Sequence, residues 1–213
     1  MSQIVVIDYG MGNLRSVAKA VEHVAPDQSV IISSDAGEIA NAERVVFPGQ
    51  GAARDCMREL EDRNLTQVVL SAAKEKPFLG ICMGMQVLLN HSEENNGIEC
   101  LGLYQGNVRF FGNNLKNTAG EKLKIPHMGW NQVAQKNDHP LWENIKDQSR
   151  FYFVHSYFMD PQEKNLVAAT SDYGMEFVSA IAKDNVFAVQ FHPEKSAQDG
   201  LQLLKNFTRW NGN

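Results

Sequence analysis

Short β-branched runs that stop at turn residues recur along the first half of the chain: IVVIDYG (4–10), SVIIS (29–33), RVVFPG (44–49) and PFLGIC (77–82). Between them, residues 14–24 and 52–60 space their apolar positions as helices do. Strand and helix therefore alternate, which predicts an α/β fold: an open, mostly parallel sheet with helices on both faces. The middle, 97–130, is richer in Gly and Asn and reads as a hairpin region added to that sheet. Strand-like runs return at 151–158, in VAAT, FVSAIAK and VFAVQFHPE, and an amphipathic helix follows in GLQLLKNFTRW. No repeat, low-complexity tract or linker interrupts the pattern, so residues 1–213 are expected to form one domain.

Composition narrows the function. With 213 residues and 43% hydrophobic content the chain can bury one good core. Its 20 basic and 25 acidic side chains include no Lys/Arg run able to track a phosphate backbone, which argues against nucleic acid. The N-terminus has no basic region, and its apolar residues stop at Asp8, so neither a signal peptide nor a membrane span is expected. Cys56, Cys82 and Cys100 are odd in number and form no CxxC pair, which suits a reducing cytoplasm. The six histidines show no ligand spacing beside cysteines, so no metal is expected.

One cysteine stands at a chemically loaded place. Gly80-Ile81-Cys82-Met83-Gly84 has the form G-x-C-x-G where a strand passes into a helix. A nucleophile on such a reversal is held in a strained backbone conformation, and bulkier residues two positions away would collide. A helix start beside Cys82 would also favour thiolate through its N–H groups and dipole. The second piece is His192-Pro193-Glu194. On an extended segment His192 and Glu194 project to one side, with Pro193 opposing a helix between them, so the carboxylate can hold the imidazole as a general base. The third is the turn Pro48-Gly49-Gln50-Gly51, whose glycines let backbone N–H groups face a ligand. Gly49 belongs to this oxyanion loop, and the N–H groups of Gln50 and Met83 are the expected donors.

These motifs, in this order, resemble the class I (triad-type) glutamine amidotransferases along nearly the whole chain. DYGMGNLRSV (8–17), PGQGA, GICMGMQVL, IPHMGWN (125–131), YFVHSY (152–157) and FHPEKS (191–196) narrow the likeness to glutaminase subunits that serve a separate cyclase. The resemblance implies that Cys82 attacks the glutamine side-chain amide, that His192 carries its proton to departing ammonia, and that Glu194 orients His192. It also implies glutamine binding by Gly51, Gln86 and Glu94 and by the backbone of Ser156 and Tyr157, with no cofactor. Gln86 can equally be a polar core residue and Glu94 a loop acid. The family usually carries an aliphatic residue at position 50 and leucine at 83; both positions act through backbone groups here.

The chain ends at Asn213 directly after the helix that follows His192, so the ammonia acceptor is expected on another chain. The resemblance implies a (β/α)₈-barrel cyclase of the histidine pathway as heterodimer partner, with activation on binding. Asn13, Trp130 and Lys195 are the candidate contacts, against ordinary roles as helix cap, core packing and surface charge. Rival readings are a related glutaminase feeding another barrel partner, such as one aminating surface sugars, a γ-glutamyl hydrolase or intracellular peptidase, and an inactive regulatory subunit.

Overall fold

The computed structural model describes residues 3–213. Its first half contains β1 (Gln3–Ile7), α1 (Leu14–Val24), β2 (Ser29–Ser33), α2 (Ala36–Asn41), β3 (Arg44–Gly49), α3 (Ala53–Asp62), α4 (Thr66–Glu75), β4 (Phe78–Cys82) and α5 (Met83–Gln86). There follow β5 (Leu89–Ser92), β6 (Ile98–Glu99), β7 (Tyr104–Phe110), β8 (His127–Gln132), β9 (Ala134–Gln135), β10 (Arg150–His155), β11 (Tyr157–Pro161), β12 (Val167–Asp172), β13 (Glu176–Lys183), β14 (Val186–Val189) and α6 (Ala197–Phe207).

The main sheet runs β2-β1-β3-β4-β14-β13-β11-β7-β5-β6, with β12 and β9 branching from β13. Its first five strands are parallel. From β14 onward β13, β11 and β7 pair antiparallel, and β8 with β10 forms a separate antiparallel ribbon. Period-two alternation in β1 shows why helices cover both faces. Val5 and Ile7 pack with Ile39 of α2, Leu60 of α3 and Val69 of α4. Ile4 and Val6 pack on the opposite side with Val17 and Val21 of α1 and Leu203 and Phe207 of α6. Truncating one of these buried leucines or isoleucines to alanine costs about 2–5 kcal/mol.

This geometry places the chemistry. β1, β3, β4 and β14 all end at the same edge; Cys82 is the last residue of β4, and the loops and turns that follow β1, β3 and β14 carry Asn13, Gln50 and His192. The helix-like continuation after Cys82 is shorter than its apolar sequence predicts. It lasts for α5 alone, because Val87 and Leu88 turn their carbonyls to Leu101 and Tyr104 as the chain leaves for β5. No helix of the described residues is long and apolar enough to cross a membrane.

Candidate active site

Cys82 ends β4 with φ +55° and ψ −109°, a region that costs a side-chain-bearing residue energy. The glycines flanking it make the turn possible. A β-carbon on Gly84 would overlap the Phe47 carbonyl oxygen, and one on Gly80 would lie 2.9 Å from both Ala188 Cβ and the Gly84 carbonyl oxygen. The expected helix dipole behind Cys82 is corrected: α5 has four residues, little more than one turn, so the elbow offers first-turn N–H groups rather than a macrodipole. The sulfur receives the Gln190 Nε2 amide at 3.7 Å, and Cys82 is 7% exposed.

His192 Nδ1 lies 2.9 Å from Glu194 Oε1. The contact is made differently from the extended alternation expected. β14 stops at Val189, and Pro193–Lys195 form a single 3₁₀ turn, with Pro193 opening it rather than opposing it. Glu194 reaches back over that turn. The backbone of His192 is fixed as well, its N–H donating to the Tyr152 carbonyl at 2.9 Å and its carbonyl accepting from Ser196 Oγ at 2.6 Å. Burial alone would lower the His192 pKa, but the Cys82 sulfur and the Glu194 carboxylate both favour the imidazolium and raise it to about 10. Nε2 is buried and has no hydrogen-bond partner.

The glycine turn lies beside this pair because the β3–β4 register sets Gly49 opposite Cys82. Tyr9, wholly buried, donates its hydroxyl to the Pro48 carbonyl at 2.9 Å. A β-carbon on Gly49 would strike that hydroxyl, and Gly51 takes φ +91°, so both glycines are required by shape. Gln50 between them is exposed.

A cavity of about 700 Å³ opens here, and its wall brings together Gln50, Gly51, Cys82, Met83, Gln86, Glu94, Ser156, Tyr157, His192 and Lys195. Glu194 stands behind His192, outside the wall, and Gly49 lies under it. Gln86 is both polar core and cavity wall: its Nε2 donates to the Tyr157 carbonyl and to Gln190 Oε1, each at 2.8 Å. Glu94 Oε2 accepts from the Ala53 N–H at 2.6 Å, tying the 94–96 turn to the start of α3. Burial raises the Glu94 pKa, against the lowering by that hydrogen bond. A second crevice of about 660 Å³ between β11, β12 and β13 is lined by no cysteine or histidine, and its charged groups pair with one another as Lys136–Glu176 and Lys164–Asp160.

The candidate contacts for a partner lie outside or on the rim. Asn13 is exposed and its side chain makes no capping bond, although its carbonyl accepts from the N–H groups of Ser16 and Val17. Trp130 on β8 is 44% exposed, so it is not core packing; neighbouring Met128 is 61% exposed. Lys195 is exposed at the cavity rim. Gln190, Tyr9 and the Tyr152–Ser196 clamp were not singled out by sequence reasoning. Gln190 had a signal, since it precedes His192 by two residues on a strand end and so shares its side. Among the described residues no group of three or more His, Cys, Asp or Glu is arranged to hold a metal.

A family model described as glutamine amidotransferase class-I matches residues 5–210. The chain is 60% identical over 211 residues to the imidazole glycerol phosphate synthase subunit HisH of Aromatoleum aromaticum, covering 99% of each chain. It is 61% identical over 208 residues to the protein of the same name from Dechloromonas aromatica, covering 97% of this chain and 96% of that one. A crystal structure described as a glutamine amidotransferase superposes with TM-score 0.70 at 14% identity, covering 96% of this chain and 97% of the other, which speaks for the fold alone. The chain belongs to the class I glutamine amidotransferase family and, within it, to the group of imidazole glycerol phosphate synthase HisH subunits.

Proposed function

We propose that the protein is the glutaminase subunit of an imidazole glycerol phosphate synthase, releasing ammonia from L-glutamine for a cyclase on another chain. The carrying observation is the convergence of the strained Cys82, the Glu194-held His192 and the glycine turn on one cavity, in a chain about 60% identical to subunits of that name along its length.

In the proposed reaction the Cys82 thiolate attacks the side-chain amide carbon of glutamine, while His192 holds the thiol proton. The N–H groups of Gln50 and Met83 receive the oxyanion, with Gly49 allowing the loop to approach. As the C–N bond breaks, His192 passes its proton to the amine and ammonia departs, leaving a glutamyl thioester. Water then attacks this carbonyl, His192 takes its proton, and glutamate leaves with Cys82 restored. Glu194 keeps the imidazole in the donor–acceptor orientation that both steps need. Gly51, Ser156 and Tyr157 shape the substrate site. Both Nε2 protons of Gln86 are engaged, so its Oε1 is the atom left for glutamine. Glu94 supplies a carboxylate for the substrate ammonium.

The partner in this reading is a (β/α)₈-barrel cyclase that joins ammonia to a phosphorylated ribulosyl aminoimidazole nucleotide, docking over Asn13, Trp130 and Lys195. The protein acts in the cytoplasm as one half of a heterodimer. Growth of a histidine auxotroph lacking this subunit tests the pathway. Rescue by the chain supports it; a chain that hydrolyses glutamine with a barrel partner yet never rescues belongs to another route, such as sugar amination.

A further inference from the structure

Two histidines, His155 in the cavity wall and His127 behind it, form a hydrogen-bonded pair that the proposed reaction does not use. His127 Nδ1 lies 2.9 Å from His155 Nε2, and the residues are 3% and 6% exposed. Their proton positions follow from their neighbours. The Tyr157 carbonyl can only accept, so His155 Nδ1, 2.8 Å away, donates to it. Burial lowers His127 to about 4 and His155 to about 3, so each ring is neutral near pH 7 and carries one proton. With its proton on Nδ1, His155 accepts at Nε2 from His127 Nδ1–H. His127 Nε2 then accepts from Asn131 Nδ2 at 3.3 Å. The Asn131 amide is itself oriented, donating to the Asp172 carbonyl at 2.7 Å and accepting from the Gln132 N–H at 2.8 Å.

The same network runs on to the nucleophile. The Tyr157 carbonyl that holds His155 also holds Gln86, Gln86 holds Gln190, and Gln190 points its amide at the Cys82 sulfur. Strand pairing sets this up. The β8–β10 register places His127 opposite His155, and the pleat of β8 turns His127 and Asn131 inward while Met128 and Trp130 face out.

We infer that His127 and His155 are positioning residues for glutamine hydrolysis. As neutral Nδ1–H tautomers they fix the Ser156–Tyr157 backbone at the cavity wall and, through Gln86 and Gln190, the setting of the Cys82 thiol. The inference rests on the glutaminase reading above.

The test compares His127→Phe with His127→Asn in the complex with the barrel partner. Phenylalanine keeps a ring against Tyr173 and Phe153, whose centroids are 4.1 and 5.0 Å away, but removes the donor to His155. Asparagine keeps a donor near the Nδ1 position. The Phe variant is expected to raise the glutamine KM about tenfold with kcat within about threefold, and to leave ammonium-dependent synthesis unchanged; the Asn variant is expected to return KM to within about threefold of wild type. Nitrogen NMR of the histidine-labelled wild type should show Nδ1 protonated in both rings. A Phe variant with wild-type KM, a defect that asparagine leaves uncorrected, or an Nε2–H tautomer in either ring would overturn the inference. Failure of the glutaminase reading has a different signature, a wild-type complex that releases no glutamate, and it removes this inference too.

Discussion

Gly84 sits so close to the carbonyl oxygen of Phe47 that a β-carbon added there would overlap it. The reversal at Cys82 is therefore bound to β3 as well as to its own strand. Gly84→Ala is expected either to lose the folded state or, where folded, to cut glutamine turnover by about 10²-fold, the scale of an ångström-sized misplacement of a reacting group. Gly37→Ala in α2 is the control, since there only the Asp35 carboxylate that caps the helix comes near, at 3.1 Å and without overlap. Thermal unfolding and glutamate release read both variants, and a Gly84→Ala protein that unfolds and turns over like wild type would contradict the steric account.

Cysteine chemistry separates the three thiols. Burial pushes Cys56 and Cys100 up to about 12, where thiolate is scarce at neutral pH. Cys82 instead has an amide donor and an imidazole beside it. A glutamine analogue with an electrophilic side chain is expected to label Cys82 and spare the other two. Peptide mapping that places the label mainly on Cys56 or Cys100 would refute this.

The Tyr9 hydroxyl fixes the Pro48 carbonyl, yet the next peptide, between Gly49 and Gln50, has a glycine before it and a second glycine, Gly51, after Gln50, which ease its turning. We expect the isolated chain to be a poor glutaminase whose oxyanion donor faces away from Cys82 until the partner binds, and to be faster still when the partner holds its nucleotide. One missing donor suppresses turnover by roughly 10²- to 10³-fold. Tyr9→Phe frees the Pro48 carbonyl and should shrink the activation ratio while costing about 1–2 kcal/mol of stability. Glutamate release that is equal for the chain alone, with partner, and with partner plus nucleotide would exclude a switching loop.

Much of this was legible from the chain. The runs forming β2 and β3 and the helix α1 fall where the pattern puts them, because β-branched stretches end in sharp turn residues. α4 left a weaker trace, since its buried positions Val69, Ala72 and Ala73 are mostly alanine and differ little in hydropathy from their surroundings. The stretch after Gln86 is buried on all sides, so it has no periodicity to separate helix from strand. Cys82, His192 and Glu194 were readable as local motifs. The His127–His155 pair was not, because 28 residues separate its members and only the β8–β10 register joins them.

That pair has a pH signature. The folded values of about 4 and about 3 lie below the ordinary 6.5, so the unfolded chain binds protons first as pH falls. The stability contribution is complete above about pH 6.5 and is lost toward pH 4 and 3, at up to about 1.4 kcal/mol per pH unit per histidine. His192 runs the other way: raised to about 10, it contributes fully below 6.5 and loses its contribution as pH rises toward 10. Denaturant unfolding from pH 7 to 5 should show a loss that His127→Phe reduces, and a slope unchanged in that variant would contradict the assignment.

The central claim is that this chain makes ammonia and another chain uses it. Cys82→Ala, assembled with the barrel partner and its nucleotide, tests it in one assay with two nitrogen sources. With glutamine, synthesis should fall by on the order of 10⁴-fold or more, the scale set by removing a nucleophile that acts as part of a unit. With added ammonium salt, synthesis should match the wild-type complex. Loss of both reactions in a properly assembled complex, or glutamine-dependent synthesis that survives without the Cys82 sulfur, would contradict the account.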